Sequence, residues 1–329
     1  WIIQLMFLAA IMSINLITVK FFGEAEFWFA MIKISAIVAL ILTSIFMLAT
    51  DFKTPIGAVG LTNISKNFQL FPNGFKNFVM AFPMVFFAYQ GIEFVGITTS
   101  ETKNPRAVLP KAINQIIIRI LIFYIGSLIA IMLIYPWQSL DPKQSPFVWI
   151  FKLLGISWAA GLINFVVLTA ASSALNSILY SSGRHLYQLA SDSSGKFNKN
   201  CAVISKNGVP ARTICLSALA VAVSPIINSI PTIKDAFSVI ASVSSGAYLL
   251  IYILTLFAHR KYTQSKDYLA NGFLMPKPKF FGTLTIAFMV FILISMLFQK
   301  ETCPGVVTAL IWLVVFGGYS LAKYKNENS

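Results

Sequence analysis

The sequence predicts an all-α, polytopic membrane protein. Of its 329 residues, 57% are hydrophobic and only 11% are charged, and the mean hydropathy is +0.77. A soluble protein of this size could not cover so much apolar surface. The apolar residues also form uninterrupted runs of about 18–25 residues, which is the length that crosses the hydrocarbon core as a helix. Finally, Lys and Arg are concentrated in alternate connections between these runs, as they are in membrane proteins.

The apolar runs predict nine membrane spans, separated by polar turns and longer basic loops. They lie at residues 1–19, 27–50, 76–99, 114–136, 157–182, 211–229, 235–258, 280–298 and 304–322. We expect the helix of the fifth span to continue through Ala190, because its apolar spacing persists. The segment from Asp51 to Lys76 is rich in Pro and Gly and predicts an ordered surface loop rather than a separate domain.

The positive charges predict the topology. Seventeen Lys and Arg residues fall on one side of the membrane, together with the C-terminus, and that side is predicted to be cytoplasmic. Seven fall on the other side: Lys53, Lys66, Lys76, Lys143, Lys152, Lys234 and Lys300. With nine spans, Trp1 would then lie outside. Because the chain starts within an apolar run that lacks a charged leader, we expect further helices upstream and no signal peptide.

Composition and motifs exclude several function classes. The net charge of +14 is explained by cytoplasmic loops, and no basic block with interleaved aromatic residues indicates nucleic-acid binding. The three Cys and two His residues are too scattered for a disulfide framework or a metal site. No H-E-x-x-H, G-x-S-x-G or P-loop motif occurs, so neither an enzyme nor a cofactor is predicted.

The third span contains the strongest functional signal. Ala88, Tyr89, Gln90, Gly91 and Glu93 fall near its middle, where a carboxylate is costly and Gly loosens the backbone. A helix broken at mid-membrane is typical of a transporter binding site, since its unwound carbonyl and N–H groups can bind a ligand. The span leads into a polar loop at residues 100–106.

Two interpretations of Glu93 are open at this point. It either titrates or pairs with a cation during transport, or it braces the break through hydrogen bonds to backbone N–H groups. Phe87 precedes the break and would wall a site there, although Phe87 and Tyr89 are also explained as ordinary packing or lipid-facing aromatic residues.

Other polar residues within spans have alternative interpretations too. Lys33 lies about two turns inside the second span, where its ammonium group either reaches the headgroups or faces the protein interior at a coupling-cation position. Ser172 and Ser173 in the fifth span indicate either close helix packing or hydroxyl groups along an ion or substrate path. The same alternatives apply to Ser242, Ser244, Ser245 and Gly246.

The residues around the break resemble the amino acid–polyamine–organocation permeases. The resemblance rests on Tyr89 to Gly96 followed by Glu101-Thr102-Lys103-Asn104-Pro105, on residues 15–34 and on residues 110–115. Residues 145–148 and 163–169 bring the sequence nearest to bacterial D-serine/D-alanine/glycine permeases. The resemblance covers essentially the whole chain and is specific for the family, but less so for the substrate.

This resemblance implies a LeuT-like inverted-repeat permease fold with twelve helices, of which the chain would hold the last nine. Residues 1–50 would end the first repeat, residues 76–258 would form the second, and residues 280–322 would be the two C-terminal helices of one permease domain. Phe87, Ala88, Tyr89, Gln90, Gly91 and Glu93 would bind substrate. Lys33, Ser172 and Ser173 would form the coupling-ion site. In some proton-coupled relatives, a lysine of the corresponding helix occupies the position at which sodium-coupled relatives bind sodium.

The sequence therefore predicts a multi-pass secondary transporter of the bacterial cytoplasmic membrane. It would import small neutral amino acids such as D-alanine, D-serine and glycine by proton symport, with the lipid bilayer as its surroundings and no nucleic-acid partner. The alternatives are a permease for proline, aromatic or basic amino acids, and a non-transporting sensor or gene remnant.

Overall fold

The computed structural model is mainly helical. It describes residues 1–17, 19–55, 57–66, 68–97, 102, 104–140, 145–155, 157–193, 195–228, 236–269 and 272–327. Its helices are α1 (Ile2–Ile17), α2 (Val19–Ala49), α3 (Thr62–Ser65), α4 (Gly74–Ala88), α5 (Phe94–Ile97), α6 (Pro105–Ile120), α7 (Gly126–Ile134), α8 (Pro146–Leu153), α9 (Ser157–Ser191), α10 (Lys196–Cys201), α11 (Ala211–Asn228), α12 (Ala236–Tyr262), α13 (Pro278–Leu297) and α14 (Cys303–Glu327). A π-helical turn, Leu121–Ile125, joins α6 to α7, and a 3₁₀ turn follows at Trp137–Ser139.

The helices confirm the predicted class, a polytopic all-α membrane protein. In the described residues, six helical stretches are long and apolar enough to cross a membrane: Lys20–Ala49, Pro105–Ile134, Gly161–Ser191, Ile240–Tyr262, Pro278–Leu297 and Cys303–Ala322. Three shorter apolar helices, Ile2–Ile17, Gly74–Ala88 and Ala211–Ile227, fall at the remaining predicted spans. At most 33% of the residues in the apolar windows of the long stretches are buried inside the protein. Their other apolar side chains are available to lipid.

Several helices extend beyond their predicted spans. Helix α2 begins at Val19 rather than at residue 27, and α6 begins at Pro105 rather than at residue 114. Pro is pre-organised for the first position of a helix, so α6 can start before the apolar run does. Helix α9 continues to Ser191, as its apolar spacing predicts. The predicted start of the seventh span at residue 235, and Lys103, Lys143 and Lys234 of the topology argument, lie outside the described residues.

The segment after α2 folds back on the end of α7. Strands β1 (Lys53–Thr54) and β2 (Gly57–Ala58) form an antiparallel hairpin. The N–H of Gly60 and the side-chain amide of Asn63 both donate to Leu133 O, each at 2.9 Å. These contacts hold the described part of the predicted surface loop in place. Of the polar loop predicted at residues 100–106, the structure describes residue 102 and residues 104–106, and the last two already belong to α6.

The chain forms two compact units, each with its own core. Unit 1 comprises Trp1–Gln69 and Lys111–Ser229, and unit 2 comprises Leu70–Pro110 and Ile230–Ser329. One cluster of unit 1 joins α2, α7 and α8 through Leu40, Met47, Ile131, Ile134 and Ile150. A second joins α1, α9 and α11 through Leu8, Ile11, Leu179 and Ala218. The core of unit 2 joins α12, α13 and α14 through Leu249, Ile292, Met296 and Val306.

Small residues bring two helices of unit 2 very close together. A Cβ atom on Gly305 of α14 would lie 2.5 Å from the carbonyl carbon of Ser242 on α12. A Cβ atom on Gly246 would lie 3.4 Å from both Gly305 O and Val306 Cα, which is a close contact but not an overlap. Close packing through small residues is how membrane helices associate without a hydrophobic driving force between them. It is the structural role predicted for Ser242 and Gly246.

Candidate functional site

The predicted helix break is present in unit 2. Helix α4 ends at Ala88, a turn follows, and α5 begins at Phe94. In the turn, the N–H of Tyr89 donates to Phe86 O at 3.1 Å and that of Gln90 donates to Phe87 O at 3.3 Å. Gly91 has a φ of 107°, which residues with a side chain rarely adopt. A glycine at this position is therefore part of the break.

Helix α12 holds the break through the amide of Gln90. The side-chain nitrogen of Gln90 donates to the hydroxyl of Ser245 at 3.2 Å. The hydroxyl of Ser244 in turn donates to the Gln90 amide oxygen at 3.3 Å. The two serines thus satisfy both ends of the amide, which adds a polar contact to the packing role predicted for this part of α12.

Glu93 braces the same turn. Its Oε2 atom accepts a hydrogen bond from the N–H of Gly91 at 3.0 Å and another from the hydroxyl of Tyr252. Its other oxygen, Oε1, is buried and has no hydrogen-bond partner among the described residues. The contact with Gly91 is the one that the bracing interpretation requires, whereas the predicted titration of Glu93 remains a prediction.

A cavity of about 150 Å³ lies beside the break within unit 2. Phe87 forms part of its wall, together with Pro83 of α4 and Ser242 and Ser245 of α12. Gln299, also at the cavity, donates to Met80 O at 2.8 Å and so ties the end of α13 to α4. The cavity therefore combines an aromatic wall with a few polar groups, which is the usual make-up of small-molecule sites.

Unit 1 contains a second polar site, around Lys33. The ammonium group of Lys33 on α2 donates to the hydroxyl of Ser173 on α9 at 2.7 Å. Lys33 is half-buried, and Ser173 is 1% exposed. The ammonium group therefore faces a neighbouring helix, α9. Ser172 is also buried, but its hydroxyl donates to Leu168 O of its own helix at 2.7 Å, so this bond does not join it to Lys33.

The Lys33 site includes a carboxylate that the sequence analysis missed. The Ser173 hydroxyl donates to Oε1 of Glu26 at 2.5 Å, and Asn176 donates to Oε2 at 3.4 Å. Asn15 of α1 donates in turn to Asn176 Oδ1 at 2.8 Å. The predicted span began at residue 27, which left Glu26 outside it. The available signal was its spacing of seven residues from Lys33, which places both residues on one face of α2.

Tyr252 was also missed, since a single Tyr in an apolar helix carries little information. Its spacing from Ser245 is again seven residues, so the two side chains share the face of α12 that contacts the break. The structure thus groups the predicted residues within the two units. Phe87 to Glu93 lie in unit 2 with Ser244, Ser245 and Tyr252, whereas Lys33 and Ser173 lie in unit 1 with Glu26.

Comparison with known proteins gives one consistent family. A family described as "Amino acid permease" matches residues 1–323. DL-alanine permease SerP2 of Lactococcus lactis is 46% identical over 98% of this chain and 70% of its own length. Serine permease SerP1 of the same organism is 42% identical over 98% of this chain and 72% of its own length. A D-serine/D-alanine/glycine transporter of Escherichia coli is 38% identical over 96% of this chain and 68% of its own length.

Proposed function

Because the chain belongs to the amino acid permease family, we propose that it imports small neutral amino acids by proton symport across a bacterial cytoplasmic membrane. The substrates we propose are alanine and serine, including their D-forms, and glycine. The observation that carries the proposal is the cavity beside the broken helix α4, with Phe87 in its wall and the polar groups of α12 next to it.

The size of the cavity supports a small substrate. Its volume of about 150 Å³ is below the usual range of pockets for drug-sized ligands, roughly 300–1,000 Å³. The side chains of alanine, serine and glycine add at most a few atoms to the shared amino acid core. The printed names of three relatives, a DL-alanine permease, a serine permease and a D-serine/D-alanine/glycine transporter, support the same substrate class.

In the proposed site, the ammonium group of the substrate meets backbone carbonyl groups between Ala88 and Gln90. Each carbonyl oxygen has two lone pairs and can accept a ligand bond beside an existing one. The N–H groups of Tyr89 and Gln90 already donate within the turn, so the substrate carboxylate must accept its hydrogen bonds from other groups. We assign to Glu93 the bracing of the turn, through Gly91 and Tyr252.

Lys33 is the proposed coupling group. Its ammonium is held between helices by the buried Ser173 hydroxyl, and it would release and regain one proton in each transport cycle. Residues 76–258 would form the second of two inverted repeats, and the C-terminus would lie in the cytoplasm.

Uptake by the full-length protein in proteoliposomes tests the proposal. An inward proton gradient should drive accumulation of labelled D-alanine, D-serine and glycine above the level of protein-free vesicles, and a protonophore should abolish it. Strong uptake of proline, an aromatic or a basic amino acid, with none of the three proposed substrates, would contradict the substrate assignment. Uptake at the same rate with and without the proton gradient would contradict proton symport.

Glu93→Gln separates the two roles of this carboxylate. The amide oxygen of Gln can still accept from Gly91, so a bracing role predicts that substrate binding and proton coupling both survive with moderate losses. A titrating role predicts binding without proton-driven accumulation, because an amide takes up no proton. Isothermal binding measurements and gradient-driven uptake on the same preparation distinguish these outcomes.

A further inference from the structure

A continuous chain of hydrogen bonds joins an ammonium group to a carboxylate in unit 1. Lys33 Nζ donates to Ser173 Oγ at 2.7 Å, and the same hydroxyl donates to Glu26 Oε1 at 2.5 Å. We propose that Glu26 is the proton acceptor of Lys33 and that the Ser173 hydroxyl relays the proton between them. This inference rests on the proposed function and assigns the exit step of its coupling proton.

The placement of Glu26 gives the relay a direction. Lys33 lies near the middle of α2, and Glu26 lies seven residues closer to its start at Val19. At 1.5 Å per residue this separation is about 10 Å along the helix axis, and nearly two full turns keep both side chains on one face. The charge bias predicts that the Val19 end is cytoplasmic. The two side chains converge on Ser173 Oγ, so the proton itself moves much less than this backbone separation. It moves to the side chain whose backbone lies nearer the side on which an importer must release it.

The transfer needs no additional reactant. One N–H bond of the Lys33 ammonium breaks as its proton binds to Ser173 Oγ, while the original O–H bond of Ser173 breaks as that proton binds to Glu26 Oε1. The ammonium–carboxylate pair becomes an amine and a carboxylic acid, and total charge is unchanged. Glu26 then releases its proton to water at the Val19 end, and rotation of the Ser173 hydroxyl restores the starting arrangement.

The geometry suits this step because a hydroxyl can accept one hydrogen bond while it donates another. The Ser173 hydroxyl donates to the Glu26 carboxylate, and hydrogen bonds to an ionised acceptor are stronger than bonds between neutral groups. Asn176, itself bonded to the buried Asn15, donates to the other carboxylate oxygen and fixes its orientation.

Two variants break the relay at different points. Glu26→Gln keeps the size of the side chain but removes the proton acceptor, and Ser173→Ala removes only the bridging hydroxyl. The matched control is Glu24→Gln, the same chemical change two residues earlier on α2. Glu24 is exposed, and it bonds to Trp28 of the same helix at 3.1 Å. All are made in the full-length protein and reconstituted in proteoliposomes.

The readouts are proton-driven accumulation of labelled alanine and its counterflow, which exchanges internal for external substrate without net proton release. Glu26→Gln should lower accumulation about a hundredfold, the lower end of the range for loss of a general base, while counterflow persists. Ser173→Ala should show the same split, and Glu24→Gln should match wild type in both assays.

Three outcomes would overturn the relay. Unchanged accumulation in Glu26→Gln would show that the carboxylate takes no part in coupling. A parallel fall of accumulation and counterflow in both variants would assign Glu26 and Ser173 a purely structural role. Wild-type accumulation that does not depend on the pH gradient would contradict both the relay and proton symport. Accumulation that depends on the gradient in the wild type and equally in Glu26→Gln would contradict the relay alone.

Discussion

The hydroxyl groups of Tyr252 and Tyr135 should have opposite effects on the free energy of unfolding. The hydroxyl of Tyr252 donates to the Glu93 carboxylate. Tyr135 is 1% exposed, and its hydroxyl has no hydrogen-bond partner among the described residues. A hydrogen bond to a charged group contributes about 1.5–3 kcal/mol, whereas a buried hydroxyl without a partner carries an uncompensated desolvation cost.

Tyr252→Phe should therefore lower the free energy of unfolding by about 1.5–3 kcal/mol, since it removes a donor from Glu93. Tyr135→Phe should be neutral or stabilising, because the ring and its edge-to-face contact with Trp149 at 4.9 Å remain. Thermal unfolding of the purified protein in detergent compares the two. Equal shifts in both variants would contradict the assigned role of the Tyr252 hydroxyl.

Gly91 has a backbone conformation that only glycine adopts without strain. With φ at 107°, an alanine at this position should cost on the order of 1–3 kcal/mol, although the space for its methyl group is sufficient. The matched control is Gly23→Ala in α2, where the backbone is helical and no atom would lie within 4 Å of the new Cβ. That change should be neutral or stabilising by up to about 1 kcal/mol. Thermal unfolding measures both, and a destabilised Gly23→Ala with an unaffected Gly91→Ala would refute the argument.

At the scale of the helices, α12 and α14 can pack closely because Gly305 has no side chain. Gly305→Ala would place a methyl group 2.5 Å from the Ser242 backbone, so one helix must shift, at a cost of about 1–3 kcal/mol for overpacking. Gly317→Ala and Gly318→Ala in the same helix meet no atom within 4 Å and should be tolerated. The unfolding temperature and the monodisperse fraction in detergent check this prediction. A Gly305→Ala protein as stable as these controls would contradict the packing.

The sequence predicted helices well wherever an apolar run was long enough to be interpreted only as a membrane-spanning helix. All nine runs contain a helix, and the break after Ala88 was predicted from a Gly and a Glu at mid-membrane. Helix α8, Pro146–Leu153, was not predicted, because eight residues give too little periodicity. Glu26 was missed because hydropathy marks where the hydrocarbon core begins, not where the helix does.

Contacts between distant residues could not be predicted from the sequence. Nothing in the residue types pairs Gln90 with Ser245, or Lys33 with Ser173, because these contacts depend on the rotation and depth of packed helices. The sequence narrowed the candidates to polar residues in apolar runs, and packing then selected their partners. Ser172 and Ser173 illustrate the limit: adjacent serines face different surroundings, and only Ser173 bonds to Lys33.

For the whole molecule, the distribution of charge predicts orientation in the membrane. The chain carries 25 Lys and Arg residues against 11 Asp and Glu residues, and the positive excess is predicted to face the cytoplasm. Lys66, just after α3, is predicted to be external, and Lys266, after α12, is predicted to be cytoplasmic. Both side chains are exposed, so a reagent that reaches the correct side of the membrane can reach them.

Single cysteines at these two positions test the orientation. In a full-length protein without its native cysteines, Lys66→Cys should react with a membrane-impermeant maleimide on intact cells. Lys266→Cys should react only after the membrane is permeabilised, because a charged reagent cannot cross the hydrocarbon core. The cysteine-free protein is the control for background labelling. The reverse pattern would invert the topology and place the Val19 end of α2 outside, so Glu26 would then lie on the entry side of Lys33 and could not serve as the exit for its proton.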